Sequence, residues 1–217
     1  MGVFVIILLI AFVGIIILLL VRKKRRQRAD FCRLILAADR EEEGAREALY
    51  RAMDRFGIND NESYIKIREN MYREMVKQGD PFAMVMLGQS IQDDNPQEAY
   101  TLFTEAAKQG NALAMSALGA GYSEYFNRGG RGRELFGYDP VLSFRWYLKA
   151  AELGDVHAIF TVAHLFFSGE GVDKSESLAY QWALRGANLG DADCAELLSY
   201  AFYDNPSSAY YNKNPLR

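Results

Sequence analysis

Few residues in this 217-residue chain have the types and spacings that chemistry needs. Its two histidines, His157 and His164, stand seven apart, which is two helical turns. They share a helix face but lie roughly 10 Å apart, too far to ligate one metal together. Cys194 is a nucleophile by type, and Cys32 is the other cysteine of the chain. Two thiols so distant in sequence read as free thiols in a reducing compartment rather than as a disulfide framework. The acidic run DREEEGARE, residues 39–47, has the ligand types of a metal site. On a helix, however, consecutive glutamates spread around the axis, and Arg40 and Arg46 fall within a turn, which makes a solvated, salt-bridged face. The glycine-rich NRGGRGRELFGY, residues 127–138, has neither the spacing nor the Lys-Ser or Lys-Thr of a phosphate loop, and no strand leads into it. No nucleophile, base and orienting group can be assembled from these residues. No catalytic, cofactor-binding or metal residue is therefore assigned, and an enzyme acting on a small-molecule substrate is not expected.

Two kinds of element must position whatever these residues do. The first is residues 3–21, VFVIILLIAFVGIIILLLV, which carry no charge. As a helix they would be roughly 28 Å long at about 1.5 Å per residue, close to the thickness of a bilayer core. They predict a transmembrane helix over residues 1–21. Directly behind comes RKKRRQR, with Arg22, Lys23, Lys24, Arg25, Arg26 and Arg28 as six cations in seven positions. Basic residues stay on the cytoplasmic side, so this order predicts an outside N-terminus and a cytoplasmic remainder. A cleavable signal peptide would want its charge before a shorter apolar run, with small residues at a cleavage site. Taking the six cations from the chain's 25 Lys and Arg leaves 19 against 28 Asp and Glu. That acidic remainder repels a phosphate backbone, so nucleic acid is excluded as a partner and the 22–28 segment is expected to meet anionic lipid.

The second kind of element is repeated. The phrases VKQGD, EAAKQGN, KAAELGD and GANLGD close at Gly79, Gly110, Gly154 and Gly190, spaced by 31, 44 and 36 residues. Self-similarity at this period marks a stacked-helix array. Before the last three glycines, one slot holds Leu102, Trp146 and Trp182, and a pair of small residues holds Ala106-Ala107, Ala150-Ala151 and Gly186-Ala187. After each of the four, a small slot holds Ala83, Ala114, Ala158 and Cys194. An aliphatic slot then holds Leu87, Leu118, Val162 and Leu198, and a later one Ile91, Tyr122, Phe166 and Phe202. Cys194 thus reads as a small packed residue. His157 occupies a slot shared with Phe82, Leu113 and Asp193, and reads as an ordinary solvated or half-buried side chain. The glycine suits the left-handed residue that ends a helix, and the Asp or Asn after it can accept from the free N–H groups of the next. Asn95-Pro96 with Glu98, and Asp139-Pro140, announce further helices by a cap followed by a proline.

These residues resemble Sel-one-like repeats, a subclass of the tetratricopeptide-like helical solenoids. The resemblance is carried by AIFTVAHLFFSGEGVDKSESLAYQWALRGANLGD, residues 158–191, with its GxGV turn at Gly169–Val172, and by FRWYLKAAELGD, residues 144–155. It covers about residues 64–211. The Leu-Gly pair present as Leu87-Gly88 and Leu118-Gly119 becomes Val162-Ala163 and Leu198-Ser199, a departure that bears on local turn geometry. The expected fold is all-α, a right-handed α-solenoid of antiparallel helix pairs behind one N-terminal transmembrane helix. Residues 29–79 read as a degenerate N-terminal repeat, with one amphipathic helix over 29–56 turning Phe31, Leu34, Ile35, Ala38, Leu49 and Met53 to the core. Repeats follow at about 80–110, 111–154 and 155–190. A truncated one spans 191–217, in which DNPSSAY, residues 204–210, echoes DNPQEAY and begins a last helix whose uncovered face would be a weak cap or a docking edge.

The resemblance implies protein–protein interaction. One feature is not generic: the second repeat is longer than the 36-residue period by an insertion at 124–138. It gathers Arg128, Arg131 and Arg133 with Tyr125, Phe126 and Phe136 on an otherwise acidic domain. Arginine and aromatic residues are enriched at binding hot spots, and solenoid insertions project as loops. Two readings stand, a partner-binding loop or a tolerated loop whose arginines pair with neighbouring carboxylates. The expectation is a single-pass protein of the bacterial inner (cytoplasmic) membrane that holds a protein-binding scaffold in the cytoplasm. The rival is the opposite orientation, an envelope-side protein assisting secretion or cell-wall assembly.

Overall fold

The structure, a computed structural model, describes residues 23–58, 60–123 and 136–211. The apolar run 3–21 and Arg22 lie outside the described residues, and among these no helix is long and apolar enough to cross a membrane. The described secondary structure is helical, with no strand. The chain divides into two units, Met1–Met71 and Tyr72–Arg217.

In the first unit, α1 occupies residues 23–39 and α2 Ala45–Phe56, and α3, Asn61–Val76, carries the division between Met71 and Tyr72. The core consists of Phe31, Ile35, Ala38, Ala45, Leu49 and Ala52, with Leu34 and Met53 packed at its edge. The single helix expected over 29–56 is corrected: it is broken at residues 40–44. Glu41 and Gly44 adopt left-handed φ of 58° and 72°. Such a break requires a residue free of a β-carbon, or one held in place by its surroundings. The last residue of α1, Asp39, accepts from Arg68 Nε of α3 at 2.8 Å, a half-buried ion pair. The acidic run is therefore a turn and a helix start, with Glu41 and Glu47 paired at the surface to Arg46 and Arg51.

Among the described residues of the second unit the repeats comprise seven helices: α4 (Pro81–Ile91), α5 (Pro96–Lys108), α6 (Ala112–Tyr122), α7 (Pro140–Glu152), α8 (Val156–Ser168), α9 (Glu176–Asn188) and α10 (Ala192–Leu197). Each packs on its neighbours in sequence, as a repeat array does. The repeated phrase works as its chemistry predicts. Gly79, Gly110, Gly154 and Gly190 have φ of 81°, 83°, 92° and 87°. The carboxylates or amide behind them accept from Ala83 N, Ala114 N, Ala158 N and Cys194 N at 3.1, 3.0, 2.7 and 2.7 Å. Asn95, Asp139 and Ser175 cap α5, α7 and α9 in the same way. The backbone between the helices of a pair closes identically each time. The carbonyls of Ile91, Tyr122 and Phe166 accept from the N–H groups of Asn95, Asp139 and Ser175, although the stretches of chain between them differ widely in length.

Packing explains why the small slots are small. The Leu-Gly glycines lie under rings of the next helix. A β-carbon on Gly88 would stand 2.6 Å from Phe103, and one on Gly119 would stand 2.8 Å from Tyr147. In the next repeat the ring slot holds Ala183, and the glycine slot holds Ala163; both are fully buried. The departure from the Leu-Gly pattern is thus an exchange of volume between two helices and not a change of turn. Cys194 follows the same rule: it is buried against Gly186, whose absent β-carbon would lie 2.2 Å from its sulfur, where the earlier repeats pair Ala106 with Ala114 and Ala150 with Ala158. Larger gaps are filled by aromatic pairs, Phe144–Phe166 at 5.2 Å and Tyr180–Phe202 at 5.5 Å, both edge-to-face.

The last repeat departs from expectation. After α10 the backbone passes into a π-helical segment, Leu198–Tyr203, and residues 204–211 form turns where a helix was expected. Asn205 spends its cap on Ser207 N, while the Ser208 hydroxyl and Ala209 N–H both donate to Glu176. Tyr210 stacks flat on Tyr180, ring centres 3.9 Å apart. The edge expected to stand open is covered there by the chain's own tyrosine.

Candidate partner-binding site

The insertion was the first place expected to bind a partner. Tyr125, Phe126, Arg128, Arg131 and Arg133 lie outside the described residues. Phe136 is described, and it is half-buried. Its ring packs edge-to-face on Tyr100 (5.0 Å) and Tyr122 (5.9 Å), against Gly121, whose added β-carbon would meet it at 3.2 Å. Tyr100 and Tyr122 share a hydroxyl contact of 3.2 Å. Burial, helped by that bond, pushes the Tyr122 phenol up to about 12. Tyr100 and Tyr122 thus hold the slots that Phe144 with Phe166 and Tyr180 with Phe202 hold in the later repeats, and Phe136 packs on both rings. Of the residues expected at a membrane surface, Arg22 lies outside the described residues. Lys23, Lys24, Arg25, Arg26 and Arg28 are all exposed on α1.

A surface that sequence reasoning did not single out emerges from the register of the repeats. The caps fix where α4, α6, α8 and α10 begin, so equivalent positions present equivalent faces. Two residues after each cap stand Phe82, Leu113, His157 and Asp193, and seven further on stand Gln89, Ala120, His164 and Tyr200. Leu113 is 44% and Tyr200 53% exposed, and both histidines are exposed. Between the histidines, Phe160 and Thr161 are half-buried, with the Phe160 ring 6.4 Å from that of His164. The composition of this face changes along the array, from Leu113 and Ala117 through the histidines to Asp193 and Glu196. Such a face offers apolar contact, imidazole hydrogen bonding and a carboxylate end, which is chemistry suited to recognition.

The second helices carry another recurring feature. Trp146 and Trp182 are half-buried, and a cation one turn on covers each ring, Lys149 at 4.7 Å and Arg185 at 5.0 Å. The spacing of tryptophan and cation is visible in both repeats and was the available signal. Next to them Leu153 and Leu189, each 57% exposed, take the slot that Gln78 and Gln109 hold earlier. An open groove of about 550 Å³ runs beside Leu189, lined by Gly154, Gln181, Leu184, Arg185 and Asn188.

Burial pushes the Cys194 thiol up to about 12, helped by its bond to Asp191, so it stays protonated at neutral pH. Burial also raises Cys32, against the pull of Arg28. Among the described residues no group of three or more His, Cys, Asp or Glu is placed to hold a metal.

The family described as Sel1 repeat matches residues 81–111, 112–155 and 156–191. A Sel1 repeat protein from Oxalobacter formigenes is 26% identical with a TM-score of 0.50, over 59% of this chain and 94% of that one. The protein c5321, a protective antigen of uropathogenic Escherichia coli displaying an SLR fold, is 22% identical with a TM-score of 0.51. That match covers 79% of this chain and 44% of that one, and it speaks to the fold alone. No curated protein matches.

Proposed function

The chain belongs to the Sel1-repeat family, and on that premise we propose that it is a protein-binding scaffold held at the cytoplasmic face of a membrane by residues 3–21. Sel1-repeat proteins typically mediate protein–protein interaction. The observation that carries the reading is the division of labour in the repeats. Residues facing inward are held to small and complementary volumes, while the in-register outward positions, from Leu113 through His157 and His164 to Tyr200, differ from helix to helix. Varied side chains on a fixed frame are what partner recognition requires. The apolar run and the cations behind it support the anchor and its orientation. Anchoring raises the effective concentration of the scaffold for any partner confined to the same membrane.

The test is proximity labelling in cells, with the labelling enzyme fused after Arg217 or directly after residue 57. Neighbours labelled only by the longer fusion are recruited by the repeats. Leu113→Glu, His164→Glu and Tyr200→Glu together should remove those neighbours without lowering the melting temperature. Identical neighbours for both fusions would refute the scaffold, and a cytoplasm-dependent fluorescent reporter that stays dark after Arg217 would refute the orientation. Changing Arg128, Arg131 and Arg133 to Glu asks the same question of the insertion.

A further inference from the structure

The first unit contains a cavity of about 590 Å³, within the range of small-molecule pockets, roughly 300–1,000 Å³. Its floor is apolar: Phe31 from α1, Phe56 and Ile58 from the end of α2, and Ile67 from α3. Phe31 and Phe56 meet edge-to-face at 5.5 Å, and Phe56 keeps 38% of its surface exposed. The rim is cationic. Lys24, Arg25 and Arg28 stand over the floor with Gln27, and Lys24, Gln27, Arg28 and Phe31 recur at helical spacing on one face of α1. Arg33, Arg46, Arg51 and Arg68 of the same unit each have a carboxylate partner. Among the described residues none of Lys24, Arg25 or Arg28 has one.

We propose that this cavity binds one anionic phospholipid, its acyl chain on the apolar floor and its phosphate against the three cations. The two halves of the site select one molecule between them. A free phosphate leaves Phe56, Ile58 and Ile67 uncovered, and a neutral apolar ligand leaves three unpaired cations at the rim. An anionic amphiphile satisfies both, with phosphate accepting from guanidinium groups and hydrocarbon leaving water. The inference rests on the membrane reading, because Lys24 follows the apolar run ending at Val21 by only three residues, at the level where lipid headgroups would lie. It goes beyond general attraction to an anionic surface, since it gives a single lipid a pocket with named walls.

The experiment uses the full chain in mixed phosphatidylcholine and phosphatidylglycerol vesicles. Trace phosphatidylglycerol or phosphatidylcholine carries a diazirine at the end of one acyl chain, and the labelled peptides are identified by mass spectrometry. Label from phosphatidylglycerol is expected around Phe31 and across 56–67, in several-fold excess over label from phosphatidylcholine. Lys24→Gln with Arg28→Gln, both exposed positions, should lower the anionic label roughly ten- to thirtyfold, the change expected for two cations at an anionic surface. Ile67→Asp should lower it at least about tenfold while label within 3–21 stays constant. Label confined to 3–21 overturns the pocket and leaves the anchor standing. Equal pocket label from the two lipids, or no loss in the charge variant, overturns the choice of an anionic occupant. A chain that does not stay with the vesicles overturns the membrane reading and the pocket together.

Discussion

Gly119→Ala tests the exchange of volume between helices. The added β-carbon would lie 2.8 Å from Tyr147 Cδ2 and 2.9 Å from Cγ, at the root of a ring that is only 6% exposed and cannot swing aside. Overpacking of this kind costs about 1–3 kcal/mol, and replacing a mid-helix glycine by alanine returns about 1 kcal/mol of helix propensity. The net expectation is a loss of up to about 2 kcal/mol, or up to roughly 8 °C in melting temperature for a protein of this size. Tyr147→Ala alone should cost about 3–5 kcal/mol as a large-to-small change in the core. In that background the ring is gone, so Gly119→Ala should become stabilising by about 1 kcal/mol, recreating the Ala163 and Ala183 pair of the next repeat. The double-mutant cycle therefore predicts a coupling of about 1–3 kcal/mol and, more tellingly, a reversal of sign. Circular dichroism of the full chain in neutral detergent, melted and titrated with urea, measures it. If Gly119→Ala lowers stability equally with and without the Tyr147 ring, the steric account is wrong.

Gly171→Ala should be harsher, because its φ is +72° and the β-carbon would fall 2.0 Å from the Pro140 carbonyl; a loss of about 3 kcal/mol or more is expected in the same melts. Asp155 caps α8 through Ala158 N at 2.7 Å and also accepts from Ser116 Oγ at 3.1 Å. Asp155→Ala should cost about 1–2 kcal/mol, whereas Asp155→Asn should retain most of the stability, as Asn111 caps α6. Burial, joined at Tyr122 and Tyr203 by a bond to another tyrosine, pushes the phenols of Tyr122, Tyr147 and Tyr203 up to about 12. A group whose folded pKa is raised contributes stability that is complete below its unfolded pKa, near 10, and lost as pH climbs through the folded value. Melting temperature should thus fall between about pH 10 and 12 with appearance of tyrosinate absorbance; a decline that precedes the absorbance would contradict this.

The parts of the fold legible in sequence are those written in local chemistry. Gly154 and Asp155 end one helix and start the next through bonds spanning three or four residues, so a short phrase suffices to place the boundary. The misread parts depend on distant partners. The break at residues 40–44 sits where Asp39 meets Arg68, 29 positions away. Phe136, grouped in sequence with the arginines of the insertion, packs on Tyr100 in the ring-sized space above Gly121. The DNPSSAY echo matches a helix start in type, but Asn205 and Ser208 bond to Ser207 and Glu176, and the backbone turns instead. The candidate binding face was half legible. The alignment already put His157 in register with Leu113 and Asp193, yet only burial shows that these slots face outward while the neighbouring ones are sealed.

The common closure between paired helices makes each repeat a cassette. The hydrogen bond from the cap of the second helix to the last turn of the first forms across the short link from Ile91 to Asn95 and across the long one from Tyr122 to Asp139. Loop closure costs only about 0.6 kcal/mol for each doubling of length, so the frame scarcely registers what is strung between those two points. The stretch between Ser123 and Phe136 is thereby a splice site. An epitope, a fluorescent domain or a second recognition module can be inserted there and inherit the solenoid's rigidity at both ends. By the same physics, the sequence between those two points can change without disturbing the core on either side.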